Sequence, residues 1–267
     1  MRKRVRFYVQ SSFHVAFAVL ALTKITSYYF DLNLTGDFWV GLFCLVVFGY
    51  NLIKNSALWV VEPLTSNLLL KGITTVAFFG AVALIFPKTI LQCAVLFGVV
   101  LLSGFYIFPL SAAKKNFRDR HGLKIYVVAS VWALVSVGMP LIYGDGGVFF
   151  EMDVFLLFIS RWFFVITATV PFEIRDVEKD ALHLATWPQS FGIKGAKIRG
   201  SLAWLIFVII ESSLVFDKNY VAAFGFIGVA LLVFLWMSSK QQSEFYSSFW
   251  VEALPIFWWL IMEYCVI

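Results

Sequence analysis

The chain has 267 residues and a formal charge of +5, and 61% of it is hydrophobic against 14% charged, where an ordinary soluble domain carries about 25% charged residues. That balance excludes a soluble enzyme, and the positive excess needs no nucleic acid partner, because it lies between apolar runs of about 20 residues that suit a bilayer. The three cysteines, Cys44, Cys93 and Cys265, each stand alone inside an apolar run, which excludes a CxxC metal motif and a disulfide framework.

In chain order, the opening MRKRVR reads as a cytoplasmic anchor. Nine apolar spans are then expected at roughly 13–30, 38–55, 72–87, 89–108, 124–143, 153–172, 200–216, 220–238 and 248–267. The first contains Lys24 and is followed by no small-residue cleavage site, so it reads as a retained helix. No room remains for a soluble domain, and residues 1–267 are expected to form one all-α transmembrane helical bundle. With the N-terminus inside, seventeen Lys and Arg fall in inner segments and two, Lys88 and Lys218, in outer ones; Lys24 and Arg161, within spans, complete the 21. This asymmetry predicts a multi-pass protein of the plasma or inner membrane, with its N-terminus in the cytoplasm and its C-terminus on the opposite side.

The outer connections are short, and the inner ones, 56–71, 109–123, 173–199 and 239–247, are longer and richer in charge. Function is therefore expected at the inner face. The second and sixth spans both run inward and end in polar clusters, one at Asn51 and Asn55, the other at Glu173, Asp176 and Asp180. Steps of three and four residues put the three acids on one helical face. Carboxylates in that arrangement suit Mg²⁺, which takes hard oxygen ligands together with substrate phosphates. The alternative is a solvated helix end, in which Arg175, Lys179 and the acids form surface pairs worth at most about 1 kcal/mol each.

Asn51 and Asn55, one turn apart, serve either as neutral oxygen ligands or as interhelical hydrogen-bonding groups, with Lys54 beside them. The 109–123 connection carries Lys114, Lys115, Arg118 and Arg120, able to grip a diphosphate or to anchor the chain to anionic lipid. Arg161, inside the sixth span, requires an interhelical partner, because an unpaired charge in the bilayer is costly. The 30 Phe, 10 Trp and 10 Tyr supply interfacial belts and tight packing, or a cavity wall suited to a polyisoprenoid or a carbocation; Tyr106, at the inner end of the fourth span, is placed for that role.

RDVEKD followed by WPQSFG and GAK resembles the second aspartate-rich motif of the UbiA-type intramembrane prenyltransferases, a DxxxD pair before a Thr-Leu-Pro-like segment and a Leu-Gly turn. Asp176 and Asp180 match the pair, Glu173 sits where an earlier acid is usual, and Thr186, Pro188 and Gly192 echo the segment. The nine spans are similar to that fold over nearly the whole chain. The resemblance implies a transferase that uses Mg²⁺, held by Glu173, Asp176 and Asp180, to ionise a prenyl diphosphate and pass the prenyl group to an aromatic or quinone-precursor acceptor. Asp176, Asp180 and Tyr106 would carry the chemistry; Asn51, Asn55, Lys54, Lys115, Arg118, Arg175 and Lys179 would bind the diphosphate. The partners implied are an isoprenoid or another lipophilic small molecule and membrane lipid. The chain departs from the family at the first motif, NDxxDxxxD, where Asn51, Leu52, Asn55 and Trp59 stand: the Asn remains and the acids are gone. Hence the alternative reading, a UbiA-like protein without catalysis that binds a lipid or quinone or serves as a subunit beside a membrane-protein partner.

Overall fold

The computed structural model describes residues 2–61, 68–107, 122–145, 151–180, 184–214 and 218–265, and among them every regular element is helical. The helices are α1 (Arg2–Gln10), α2 (Phe13–Tyr29), α3 (Gly36–Val61), α4 (Leu68–Leu84), α5 (Ile90–Ile107), α6 (Lys124–Ala133), α7 (Met139–Tyr143), α8 (Met152–Asp176), α9 (Trp187–Leu214), α10 (Lys218–Met237) and α11 (Leu254–Cys265). One π-helical turn, Leu134–Gly138, joins α6 to α7, and another, Tyr246–Val251, leads into α11. Each predicted span meets one of these helices. Gly36–Lys54, Lys124–Tyr143, Met152–Asp176 and Tyr220–Met237 are long and apolar enough to cross a membrane alone, and Lys3–Gln10 with Phe13–Tyr29 is a further candidate broken by a 59° bend. Leu68–Leu84 and Ile90–Gly104 are apolar but shorter. The chain is a multi-pass membrane protein.

Helix α2 occupies the middle. Its sequence is mostly apolar or small, and it buries most of its surface between His14 and Ser27, leaving one stripe through Phe17, Leu20, Lys24 and Tyr28 less covered. It packs against α3, α11 and the first π-helical turn. At its start the chain turns through Ser12, which takes a left-handed φ of 65°, an uncommon conformation for a residue other than glycine. The Ser12 hydroxyl donates to Asn51 Oδ1 at 2.8 Å, tying this corner to α3.

Around α2 the helices approach closely through small residues. A Cβ on Gly41 of α3 would stand 2.5 Å from Ile85 Cγ2, and one on Gly80 of α4 would stand 2.8 Å from Cys44 Sγ, so the α3–α4 contact depends on both glycines, as helix pairs in lipid often do. Arg161 finds the partner it requires in Glu211 of α9. Its NH1 donates to both carboxylate oxygens at 3.0 and 2.9 Å, and both side chains are fully buried. Ser160 and Tyr29 also donate to that carboxylate, and the guanidinium stacks 4.6 Å from the Trp258 ring.

Candidate functional site

A cavity of about 460 Å³ opens where α3, α5 and α8 end and α6 and α11 begin, at the basic end of the bundle. Its walls are apolar: Val127, Val128, Val131 and Trp132 of α6, Phe164, Val165 and Phe172 of α8, and Val251 and Pro255 near the start of α11. Its polar groups are Tyr50 and Lys54 of α3, Ser103 and Tyr106 of α5, Lys124 at the first residue of α6, Thr169, Arg175 and Asp176 of α8, and Ser248 and Glu252 from the last π-helical turn and its end. The volume falls in the range of about 300–1,000 Å³ usual for small-molecule sites. Among the described residues three cations and two carboxylates line it, a net positive chamber with an oily wall.

Local structure explains how each group arrives there. Helix α8 runs from Met152 until Asp176, then turns at 177–180, with Lys179 N–H and Asp180 N–H both donating to Asp176 O at 2.9 and 2.8 Å. The next helix starts with half of a capping box, Thr186-Trp187-Pro188-Gln189: Gln189 Oε1 accepts from the Thr186 N–H at 3.0 Å. Proline at the second helical position is tolerated because its missing N–H would have no partner there. The helix is interrupted at Gly192, with φ 72° and ψ 166°, a backbone available to glycine and strained for other residues. At the other side, the π-helical turn sets Glu252 N–H on Ser247 O at 3.2 Å. This extra residue in the turn re-aims Ser248, Val251 and Glu252 into the cavity, and such turns recur at functional sites.

The three acids take separate hydrogen-bond partners. Asp176 lines the cavity, and Arg175 engages both its oxygens, Nε to Oδ1 at 3.0 Å and NH2 to Oδ2 at 2.5 Å; Lys179 adds a contact at 3.6 Å. Asp180 pairs with Lys124 at 3.1 Å, bridging the end of α8 to the start of α6. Glu173 is only 2% exposed and accepts from the Trp187 N–H at 3.2 Å, so it caps α9, where a helix N-terminus favours negative charge. Although these partners differ, all three acids lie within electrostatic range of Lys124. Among the described residues, no group of three or more His, Cys, Asp or Glu side chains is placed to hold a metal ion.

Of the other expected residues, Lys54, Tyr106, Arg175 and Asp176 meet at the cavity. Lys179 lies on the exposed side of the turn, against Asp176. Asn51 is fully buried, with its carbonyl on Ser12 at 2.8 Å and its amide on Thr74 at 3.0 Å; it joins α2, α3 and α4 and does not line the cavity. Asn55 lies on α3 with its side chain outside the described set, and Lys115 and Arg118 lie outside the described residues. The sequence reading missed Lys124, counted there only as inner-face charge, and Glu252, an isolated acid at the start of the last apolar run. Glu211 was missed as well, although it is an acid within a predicted span in need of a cation.

The whole architecture resembles a solved membrane protein, the apo structure of a UbiA homologue from Aeropyrum pernix K1, with a TM-score of 0.69 over 94% of this chain and 97% of that one, at 13% sequence identity. The chain has the UbiA fold. Neither a protein-family model nor a curated protein matches it by sequence. The fold expected from RDVEKD and the segment after it is therefore the fold found, although at this identity it is the path of the helices that matches. Within that fold the cavity joins Lys54, near the end of the second predicted span, to Arg175 and Asp176, just past the sixth; of the two polar clusters Asp176 lines it and Asn51 does not.

Proposed function

We propose that this protein is a membrane prenyltransferase that takes a prenyl diphosphate into the cavity and transfers the prenyl group to a lipophilic acceptor. One observation carries the reading: a chamber with the UbiA fold that combines three cations, Lys54, Lys124 and Arg175, with an aliphatic and aromatic wall. The diphosphate would lie among the cations and the tail along Val127, Val128, Val131, Phe164 and Phe172. Charge-assisted contacts stabilise pyrophosphate as a leaving group: the carbon–oxygen bond at the allylic carbon breaks and pyrophosphate departs with the electron pair. The allylic cation is then faced by the rings of Tyr106 and Trp132, whose π faces attract positive charge. The acceptor's nucleophilic atom bonds to that carbon and loses a proton, for which Glu252 is the cavity carboxylate without a guanidinium clamped to it.

The test is release of pyrophosphate by purified protein, with prenyl diphosphates of several lengths, a set of lipophilic phenol and alcohol acceptors, and Mg²⁺ supplied. Release that depends on acceptor supports the reading; none from any pairing, beside an active control enzyme, ends it. A second reading, a lipid-binding protein without chemistry, is favoured by the ion pairs that engage Asp176 and Asp180. It expects an unreacted isoprenoid to co-purify, and Asp176→Ala with Asp180→Ala to complement a deletion strain in full.

A further inference from the structure

We infer that the site binds its anionic head directly through Lys54, Lys124 and Arg175, with no resident divalent ion; the inference rests on the prenyl diphosphate reading above and specifies how the head is held. A hard divalent cation needs carboxylate oxygens free to turn toward it. Both oxygens of Asp176 are engaged by the Arg175 fork, Asp180 is paired with Lys124, Glu173 caps α9, and the amide of Asn51 is bonded to Ser12 and Thr74. Glu252 is then the one cavity carboxylate left without a direct partner among the described residues, and one carboxylate among three cations does not fit the magnesium that the fold would suggest.

What the site offers instead is guanidinium and ammonium. Arg175 presents a planar fork suited to phosphate, and Lys54 and Lys124 present point charges, from three different helices around one opening. The two aspartates then act as placeholders. Each holds a cation in position while the chamber is empty and competes with the incoming diphosphate for it. Glu252 lies within electrostatic range of Lys54 and Arg175, so it also tempers the chamber's positive charge.

This arrangement reverses the sign expected of the aspartates. In a metal site, removing either one weakens binding; in a cation clamp, removing one frees Arg175 or Lys124 and strengthens it. The probe is geranylgeranyl thiodiphosphate, which resists ionisation, titrated into detergent-purified protein by calorimetry, once in EDTA and once in excess Mg²⁺. The expected result is an affinity equal within about 3-fold in the two buffers. Asp176→Asn and Asp180→Asn should bind about 3- to 10-fold tighter. Arg175→Gln and Lys124→Gln should bind about 10- to 100-fold weaker, the loss of one charge-assisted contact of roughly 1.5–3 kcal/mol. Arg175→Lys, which keeps the charge and loses the fork, should fall between, and melting curves confirm that each variant is folded.

Competition by inorganic pyrophosphate and by phosphatidic acid vesicles separates the possible sources of the anion. Weak competition by both supports an isoprenoid diphosphate; phosphatidic acid competing as well as the probe overturns it in favour of a lipid headgroup. Binding that appears only with Mg²⁺ and vanishes in Asp176→Asn overturns the clamp and leaves the transferase reading standing. Absence of probe binding in both buffers overturns that reading as well.

Discussion

Replacing Glu211 by Gln would leave the Arg161 guanidinium charged, fully buried and without its counter-ion. In the native protein Arg161 NH1 reaches both Glu211 oxygens, at 3.0 and 2.9 Å, while Tyr29 donates to the same carboxylate at 2.7 Å. Arg161 Nε and NH2 have no hydrogen-bond partner, so this pair carries most of the compensation that the charge receives beyond the Trp258 and Tyr29 rings. Breaking a buried pair from one side costs about 3–5 kcal/mol. At about 2–4 °C per kcal/mol for chains of 150–250 residues, the melting temperature should fall by roughly 6–20 °C, read by fluorescence-detected gel filtration of heated, detergent-purified protein. Arg161→Met with Glu211→Met together should recover most of that loss, because neither charge is then left alone. A Glu211→Gln variant melting within about 2 °C of the parent, or a double variant less stable than either single one, would refute the reasoning.

Under the proposed reaction, Glu252→Gln should lower turnover by about 100-fold or more, the scale of a lost proton-accepting group, without weakening donor binding, since it removes a negative charge from the chamber proposed to take the diphosphate; equal loss of affinity and turnover would assign it a structural role. Asn51→Ala should cost about 1–3 kcal/mol by leaving Ser12 and Thr74 without their buried partner, while donor affinity stays within about 3-fold; a stable variant that no longer binds donor would return Asn51 to the site. Gly41→Val brings a side chain to within 2.5 Å of Ile85 and should destabilise the α3–α4 contact by about 1–3 kcal/mol, seen as a lower melting temperature.

The bundle was legible because a bilayer leaves so few choices. Every backbone polar group in hydrocarbon must be bonded within its own segment, so an apolar run of sufficient length is a helix, and its ends follow from where charge begins. Boundaries were less legible. The second span continues as α3 to Val61, past the expected end at 55, and the helix expected from 200 already starts after the break at Gly192, preceded by a short helical segment from Trp187. Nothing obliges a helix to stop where hydrocarbon stops, and the capping signal at Thr186–Gln189 was present but overlooked beside the motif. The partner of Arg161 was hidden for another reason: spacing identifies neighbours along one helix, whereas Glu211 is fifty residues away and reaches Arg161 only because α8 and α9 pack side by side.

The site was half legible, and the half that was missed follows one physical confusion. Lys and Arg at an inner helix end satisfy the positive-inside rule whatever else they do, so composition cannot separate an anchor from a ligand. Lys124 is an anchor by position, yet it lines the cavity beside Arg175, which was expected there, and what distinguishes Lys124 is an acid within reach on another segment, Asp180. An anchoring lysine needs only water and lipid phosphate; a lysine held at 3.1 Å from a mostly buried carboxylate has been drawn inward at a cost in side-chain freedom and hydration. Helical spacing made the acids look like a ligand set because it registers only their own helix. Seen with their partners, Asp176 and Asp180 pair with Arg175 and Lys124 at the cavity, and under the proposed function those cations are what the diphosphate would meet.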